Sequence, residues 1–177
     1  AIFIAGASLL TYLIIYVPRF DYIQGRIFSF FNRETGTHNF QSDKAIESIT
    51  SGGFFGKGIG EGVLKNRVPE AHTDYIISVI SEEFGVVAIM LILLLFLILI
   101  YMVFKKISFE TNDKIKLILI GSISLILMQA TIHVGVNIRL FPTTGMTLPF
   151  LSYGGSSIIS TSILAGIILN LTKRKIT

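Results

Sequence analysis

Apolar residues gather into four long runs along this chain, 1–17, 75–104, 115–137 and 152–171, and the segments between them are polar, charged or rich in glycine and proline. A hydrocarbon core of roughly 30 Å takes about 17 to 25 helical residues to cross, so each run is long enough, or nearly so, for a spanning helix. The second run, from Tyr75 to Phe104, reaches about 45 Å at 1.5 Å per residue and exceeds the bilayer. The pattern predicts an all-α polytopic membrane protein with at least four spans.

Composition strengthens that reading. Hydrophobic residues make up 51% of the chain and charged residues only 15%, the latter held in a few blocks, which excludes a soluble domain. The sequence opens on Ala with no polar flank before its first apolar run, as expected of the C-terminal piece of a longer protein rather than of a signal peptide. It has no cysteine, which excludes disulfides and thiolate metal sites but says nothing of compartment.

Charge orients the spans. The connection "KKISFETNDKIK" holds Lys105, Lys106, Lys114 and Lys116, and the tail holds Lys173, Arg174 and Lys175. The positive-inside rule puts the 105–114 loop and the 172–177 tail in the cytoplasm. Segments 18–74 and 138–151 then share the outer face, and both are unusual.

The first is far longer than a connection requires. Phe20, Ile23, Ile27 and Phe30 recur at helical spacing in "RFDYIQGRIFSFF", as in a helix lying in the membrane interface. Ser42 is expected to cap a second helix running through Ile49 and closed by Gly52 and Gly53. The 18–74 loop carries seven Lys or Arg and seven acids, so it forms no basic patch and nucleic acid is not an expected partner. Its cations either belong to a solvated surface or grip an anion at the membrane, as Arg can grip phosphate oxygens.

Several motifs carry candidate chemistry. "GGFFGKGIGEG" resembles a phosphate loop but is one residue short before Gly56-Lys57 and has Gly58 where Ser or Thr should hold magnesium, so it reads as a positive-φ turn or as a close backbone approach to a ligand. In "AHTD", His72 and Asp74 have no third metal ligand nearby. Asp74 also suits the N-cap of a helix beginning at Tyr75. Of the adjacent pair Glu82 and Glu83, one is expected to face a polar cavity, the usual place for an intramembrane acid. The second outer segment, "FPTTGMTLPFLSYGGSS", is apolar enough for membrane depth but broken by Pro142, Gly145, Pro149, Gly154 and Gly155. Such a re-entrant-like backbone survives only where protein buries it or it lines a wet cavity. Tight packing or a positive φ is expected at Gly154 and Gly155, so that Gly155→Ala should harm the protein.

"PEAHTDYIISVISEEFG" and "FPTTGMTLPFLSYGGSS", in this order and with two spans between them, resemble the signatures of the SEDS proteins (shape, elongation, division and sporulation), the membrane peptidoglycan glycosyltransferases. "TTGMTLPFLSYGGSS" and "NFQSDKAIESITSGGFFGKGIGEG" are closer to the cell-division branch than to the elongation branch, and the resemblance covers essentially the whole chain. It implies the four C-terminal helices of a bundle of roughly ten spans of bilayer length. The implied setting is the bacterial cytoplasmic membrane at the division septum. Lipid II would be the substrate, and a class B penicillin-binding protein and other cell-division membrane proteins would be the partners.

The family's catalytic acid falls in "HTD", at Asp74. His133 departs from the pattern, because family members commonly have Asn there, and is expected to tune packing. The reaction joins the 4-hydroxyl of one lipid II to the anomeric carbon of the other chain and expels a lipid pyrophosphate, with Asp74 as general base. Arg26, Lys57 and Arg67 are candidates for holding the pyrophosphate, with a divalent cation, magnesium or manganese, as a further possibility. His72, Thr73, Glu83, Ser152, Gly154 and Gly155, in or beside the two signatures, are expected to line the substrate cavity. Two other classes fit the same features: a lipid II flippase, which would also use a membrane cavity and broken helices, and a non-catalytic scaffold for the penicillin-binding protein.

Overall fold

The computed structural model describes residues 37–173 apart from Pro69, together with Gly6, Tyr12, Gly25 and Phe30, and of Thr37, His38, Asn39 and Lys65 only the backbone. The expected span at 1–17 and the interfacial helix expected in "RFDYIQGRIFSFF" therefore lie outside the described residues, those isolated positions apart. Among the described residues the helices with bounds are α1 (Thr37–Gly52), α2 (Leu64–Arg67), α3 (Ile76–Phe109), α4 (Asp113–Asn137) and α5 (Gly155–Thr172). By length and composition α3, α4 and α5 could each cross a membrane, with mean hydropathies of 3.4, 2.0 and 1.5 over their best windows. They match the second, third and fourth predicted spans.

The three long helices share an apolar core and expose much of their remaining greasy surface. Val103, Leu119, Ile123, Ile126 and Ile168 form its buried centre, edged by Phe96, Ile100 and Leu164. Outward-facing Met90, Leu94, Leu97, Tyr101 and Leu125 remain exposed, as on a helix bundle whose surroundings are themselves apolar. A second cluster joins the shorter elements to the spans: Ala45 of α1, Leu64 of α2, then Val68, Ala71 and Tyr75, against Val79 of α3 and Val136 of α4.

Local sequence explains the ends. Asn112 caps α4 by accepting a hydrogen bond from the Lys114 N–H at 3.0 Å. At the other end Leu140 N–H donates to the Gly135 carbonyl at 2.6 Å and Arg139 N–H to that of Val136 at 3.0 Å, the paired bonds of a Schellman turn. Arg139 occupies the left-handed position of that turn, φ 59°, where glycine is usual. Its guanidinium forms an ion pair with Asp43 of α1, tying the turn to the first helix.

The helix predicted to start at Ser42 starts earlier, at Thr37. Ser42 lies inside α1, buried, with its hydroxyl 3.4 Å from the Tyr75 hydroxyl. Its role is to contact the site segment across the core, not to cap.

The long second span is interrupted. Gly85 has φ 78° and ψ −178°, so α3 consists of a short piece, 76–84, and a long apolar piece from Val86 onward. A break strands backbone groups on both sides. Here the glycine-rich loop supplies partners for them. Lys57 N–H donates to the Glu82 carbonyl at 2.8 Å and Gly58 N–H to that of Glu83 at 3.1 Å, while Val86 and Val87 N–H donate to the carbonyls of Gly53 and Phe54 at 3.0 and 3.3 Å. Gly56, at φ 78°, lies so close that a β-carbon there would strike the Glu83 carbonyl. The close backbone approach expected of "GGFFGKGIGEG" is real, and what it approaches is a helix of the same chain.

Candidate functional site

Two polar clusters flank the first turns of α3, and they differ in how deeply they bury their acid. One is built on Glu82, which is 2% exposed. Its carboxylate accepts from Lys57 Nζ at 2.8 Å and from the N–H groups of Val63 and Leu64 at 3.0 and 2.9 Å. A buried acid with one cation and two amide donors is well compensated. A cavity of about 140 Å³ beside it is lined by Lys44, Glu47, Ser48, Ser51, Lys57, Arg67 and Glu82 among others. Lys44, hydrogen-bonded to Glu47, holds that carboxyl below its usual range, with Arg67 and Lys57 adding to the effect. Of the adjacent acids it is therefore Glu82 that is sequestered, while Glu83 is half-buried. Lys57 is committed to an ion pair, and Arg67 is exposed.

The other cluster holds the "HTD" segment. Residues 70–75 form turns in which Thr73 and Asp74 N–H both donate to the Glu70 carbonyl, at 3.2 and 3.0 Å. The carbonyls of the three residues after Ala71 are each taken by a different donor. That of His72 accepts from Tyr153 N–H at 3.0 Å, that of Thr73 from the Ser152 hydroxyl at 2.7 Å, and that of Asp74 from Asn137 Nδ2 at 2.9 Å. The two sequence signatures, almost eighty residues apart, are thus stitched together backbone to backbone and backbone to side chain.

Asp74 is half-buried, and its carboxylate faces the broken segment: a β-carbon on Gly145, whose φ is 71°, would lie 3.6 Å from Asp74 Oδ2. His72 is exposed and Thr73 half-buried, its hydroxyl turned back to the Glu70 carbonyl at 3.1 Å. Asp74 is not the helix cap. The N-cap of α3 is Tyr75, which has no capping side chain, and the third helical N–H, Ser78's, is met instead by Asn137 Oδ1 of α4 at 3.2 Å. Tyr75 is bulky and fully buried, so the chain enters the helix through packing and borrows its cap from a neighbour.

Expectations for the last glycines divide. Gly154 is the extended N-cap of α5, where a β-carbon would meet Thr147 Cγ2 at 3.3 Å. Gly155 is the first residue of α5, has no positive φ, and has open space beside it among the described residues, so these supply none of the tight packing expected there. Arg26 lies outside the described residues. Among the described residues no group of three or more His, Asp or Glu is placed to hold a metal ion, so magnesium or manganese would need donors beyond these.

Three polar residues that sequence reasoning passed over or left as packing organise this site from α4. Gln129, His133 and Asn137 recur every four residues and so lie on one face of the helix. Gln129 Nε2 donates to the Thr147 carbonyl at 2.9 Å, and His133 Nδ1 lies 2.8 Å from the Met146 carbonyl. Asn137 reaches Ser78 and Asp74. The four-residue recurrence of polar side chains in an otherwise apolar run was the available signal.

Three long apolar helices with a half-buried carboxylate at the end of the longest define a multi-pass membrane protein with a candidate acid site. The chain belongs to the FtsW/RodA/SpoVE family, the SEDS proteins, whose model, described as cell cycle protein, matches residues 1–176. It is 38% identical over 158 residues to the protein of Caulobacter vibrioides named probable peptidoglycan glycosyltransferase FtsW, covering 88% of this chain and 40% of that protein. The protein of the same name from Geobacter metallireducens is 36% identical over 177 residues, covering 97% and 47%. A solved structure described as the structural coordination of polymerization and crosslinking by a peptidoglycan synthase complex contains a similar chain. The TM-score is 0.68 at 26% identity, over 96% of this chain and 47% of that one. The chain thus spans less than half the length of these relatives.

Proposed function

We propose that the protein to which this chain belongs polymerises lipid II into glycan strands during septal wall synthesis, with Asp74 as the general base. The observation that carries this reading is the placement of one half-buried carboxylate at the end of the apolar α3, beside Gly145 of the irregular 138–154 segment, whose Ser152 holds the preceding carbonyl. The relatives named peptidoglycan glycosyltransferase support it. In the reaction the 4-hydroxyl oxygen of one sugar bonds to the anomeric carbon of the other with inversion. The bond from that carbon to the lipid pyrophosphate breaks, and the hydroxyl proton passes to Asp74. A carboxylate at the boundary suits a sugar in water joined to a carrier in hydrocarbon. Arg67, exposed and unburdened by a buried acid, is the better remaining candidate for the pyrophosphate, with Arg26.

In this reading the "HTD" face and segment 138–151 are extracytoplasmic, and the 105–114 connection is cytoplasmic. A class B penicillin-binding protein is the transpeptidase partner, in keeping with the complex that contains the similar chain. The test uses the full-length protein with that partner and labelled lipid II in detergent. Asp74→Asn keeps size and one acceptor oxygen but removes charge and basicity, so polymer should fall by about 10² to 10⁴ while lipid II binding persists. Near wild-type polymer from the variant would remove Asp74 from the chemistry. Loss of lipid transport in vesicles with polymerisation intact would favour a flippase.

A further inference from the structure

Asn137 is 0% exposed, and all its hydrogen-bonding groups are used. Its Oδ1 accepts from the Ser78 N–H at 3.2 Å and the Ser78 hydroxyl at 2.7 Å, and its Nδ2 donates to the carbonyls of Asp74 and His133, both at 2.9 Å. Ser152, 3% exposed, accepts from Leu148 N–H at 2.8 Å and donates to the Thr73 carbonyl at 2.7 Å. A buried amide spanning three elements and a buried hydroxyl joining two loops are costly to assemble unless fully paired, as both are here. What they hold in common is the peptide on either side of the Asp74 α-carbon.

We infer that Asn137 and Ser152 are positioning residues: they fix the backbone of Asp74 from the rigid α4 and from the broken segment, and so set where its carboxylate stands. The inference rests on the reading of Asp74 as the base. It moves Ser152 from contact with substrate to control of the residue that makes that contact. The "HTD" turn has no regular secondary structure to hold it, and a displacement of about 1 Å at a reacting group can cost about 10²-fold in rate. Asn137 does this while capping α3, so the start of the helix and the position of the acid depend on one side chain.

The two duties of Asn137 separate chemically. Asn137→Asp keeps an acceptor for Ser78, at a helix N-terminus that favours negative charge, but as a carboxylate it cannot donate to the Asp74 carbonyl. In the full-length protein with its transpeptidase partner, kcat for lipid II polymerisation should fall by about tenfold or more. KM should stay within about twofold. The thermal midpoint should fall, because the new carboxylate oxygen faces the carbonyls of Asp74 and His133, so kcat is read per folded molecule, which a purely structural role would leave unchanged.

Because this variant adds a charge, Ser152→Ala and Ser152→Thr form the second arm. Ala should lower kcat without raising KM, and Thr, which keeps the hydroxyl, should restore it. Wild-type kcat in both Asn137→Asp and Ser152→Ala, with Asp74→Asn inactive in the same assay, overturns the positioning role alone. Polymer from Asp74→Asn overturns the parent reading instead.

Discussion

Among the described residues two breaks border the start and end of the long helices, at Gly85 and over 138–154, and they satisfy their freed backbone groups in different ways. At Gly85 the released carbonyls and amides are taken by main-chain groups of residues 53–58, and the acid beside them is paired with Lys57 and buried. In segment 138–154 the carbonyls of Met146 and Thr147 are engaged by side chains of α4, and the neighbouring acid, Asp74, is left half-buried beside Gly145. One break is closed by main-chain groups beside a buried acid, and the other by side chains of α4 beside a half-buried one. Glycine occurs in both, so what separates the two breaks is which groups satisfy the backbone.

Substituting the glycine at the sealed break should have the largest effect. Gly85→Ala puts a β-carbon at φ 78°, ψ −178°, a region open essentially to glycine alone, and drives it into the Phe54 carbonyl and the Gly56 amide. Strain alone costs about 1–3 kcal/mol, and because both collisions are with backbone, neither can be relieved by a rotamer change. Monodisperse yield of the full-length variant in detergent should collapse. A well-folded Gly85→Ala protein would mean that the glycine loop is not spliced into α3.

A smaller loss should follow from Lys57→Met, which keeps the stem and deletes the charge. The Glu82 carboxylate would retain two amide donors but lose its cation. Since the Lys57 side chain is 36% exposed, solvent screening reduces the pair's worth, and a loss of about 1–2 kcal/mol is expected, read as a lower thermal midpoint. Polymerisation per folded molecule should be nearly unchanged. A variant that keeps its midpoint but loses polymer would show instead that Lys57 grips substrate, and the sealed break would then share in the chemistry.

Much of this arrangement was legible in the residues. The apolar runs gave three of the described spans to within a few residues at most ends, because length and hydropathy are local properties. The "HTD" and "TTGMTLPFLSYGGSS" stretches pointed to Asp74 and to a broken segment near it. Pairing was not legible. Nothing local says that the Glu82 carboxylate meets Lys57 rather than a ligand, since those residues lie twenty-five positions apart and meet only because α3 breaks at Gly85. The cap was misplaced for a related reason: Asp74 has the right chemistry one residue too early, and a side chain from α4 supplies what Tyr75 lacks.

The smallest effect is expected at Gly155, where the sequence suggested a constrained backbone. The residue opens α5, its φ is not in the left-handed region, and no atom of the described residues lies within 4 Å of a β-carbon built on it. An alanine there meets nothing and restricts the unfolded chain, a change that favours the folded state by at most about 1 kcal/mol. Gly154→Ala is the internal comparison, since its β-carbon would press on Thr147 Cγ2 at 3.3 Å, within the network that Gln129 anchors. In full-length protein the thermal midpoint should be equal or slightly raised for Gly155→Ala and lowered for Gly154→Ala. A midpoint lowered by Gly155→Ala as much as by Gly154→Ala would mean that some part of the protein beyond the described residues packs against the first turn of α5, and the second break would be more enclosed than the described residues make it.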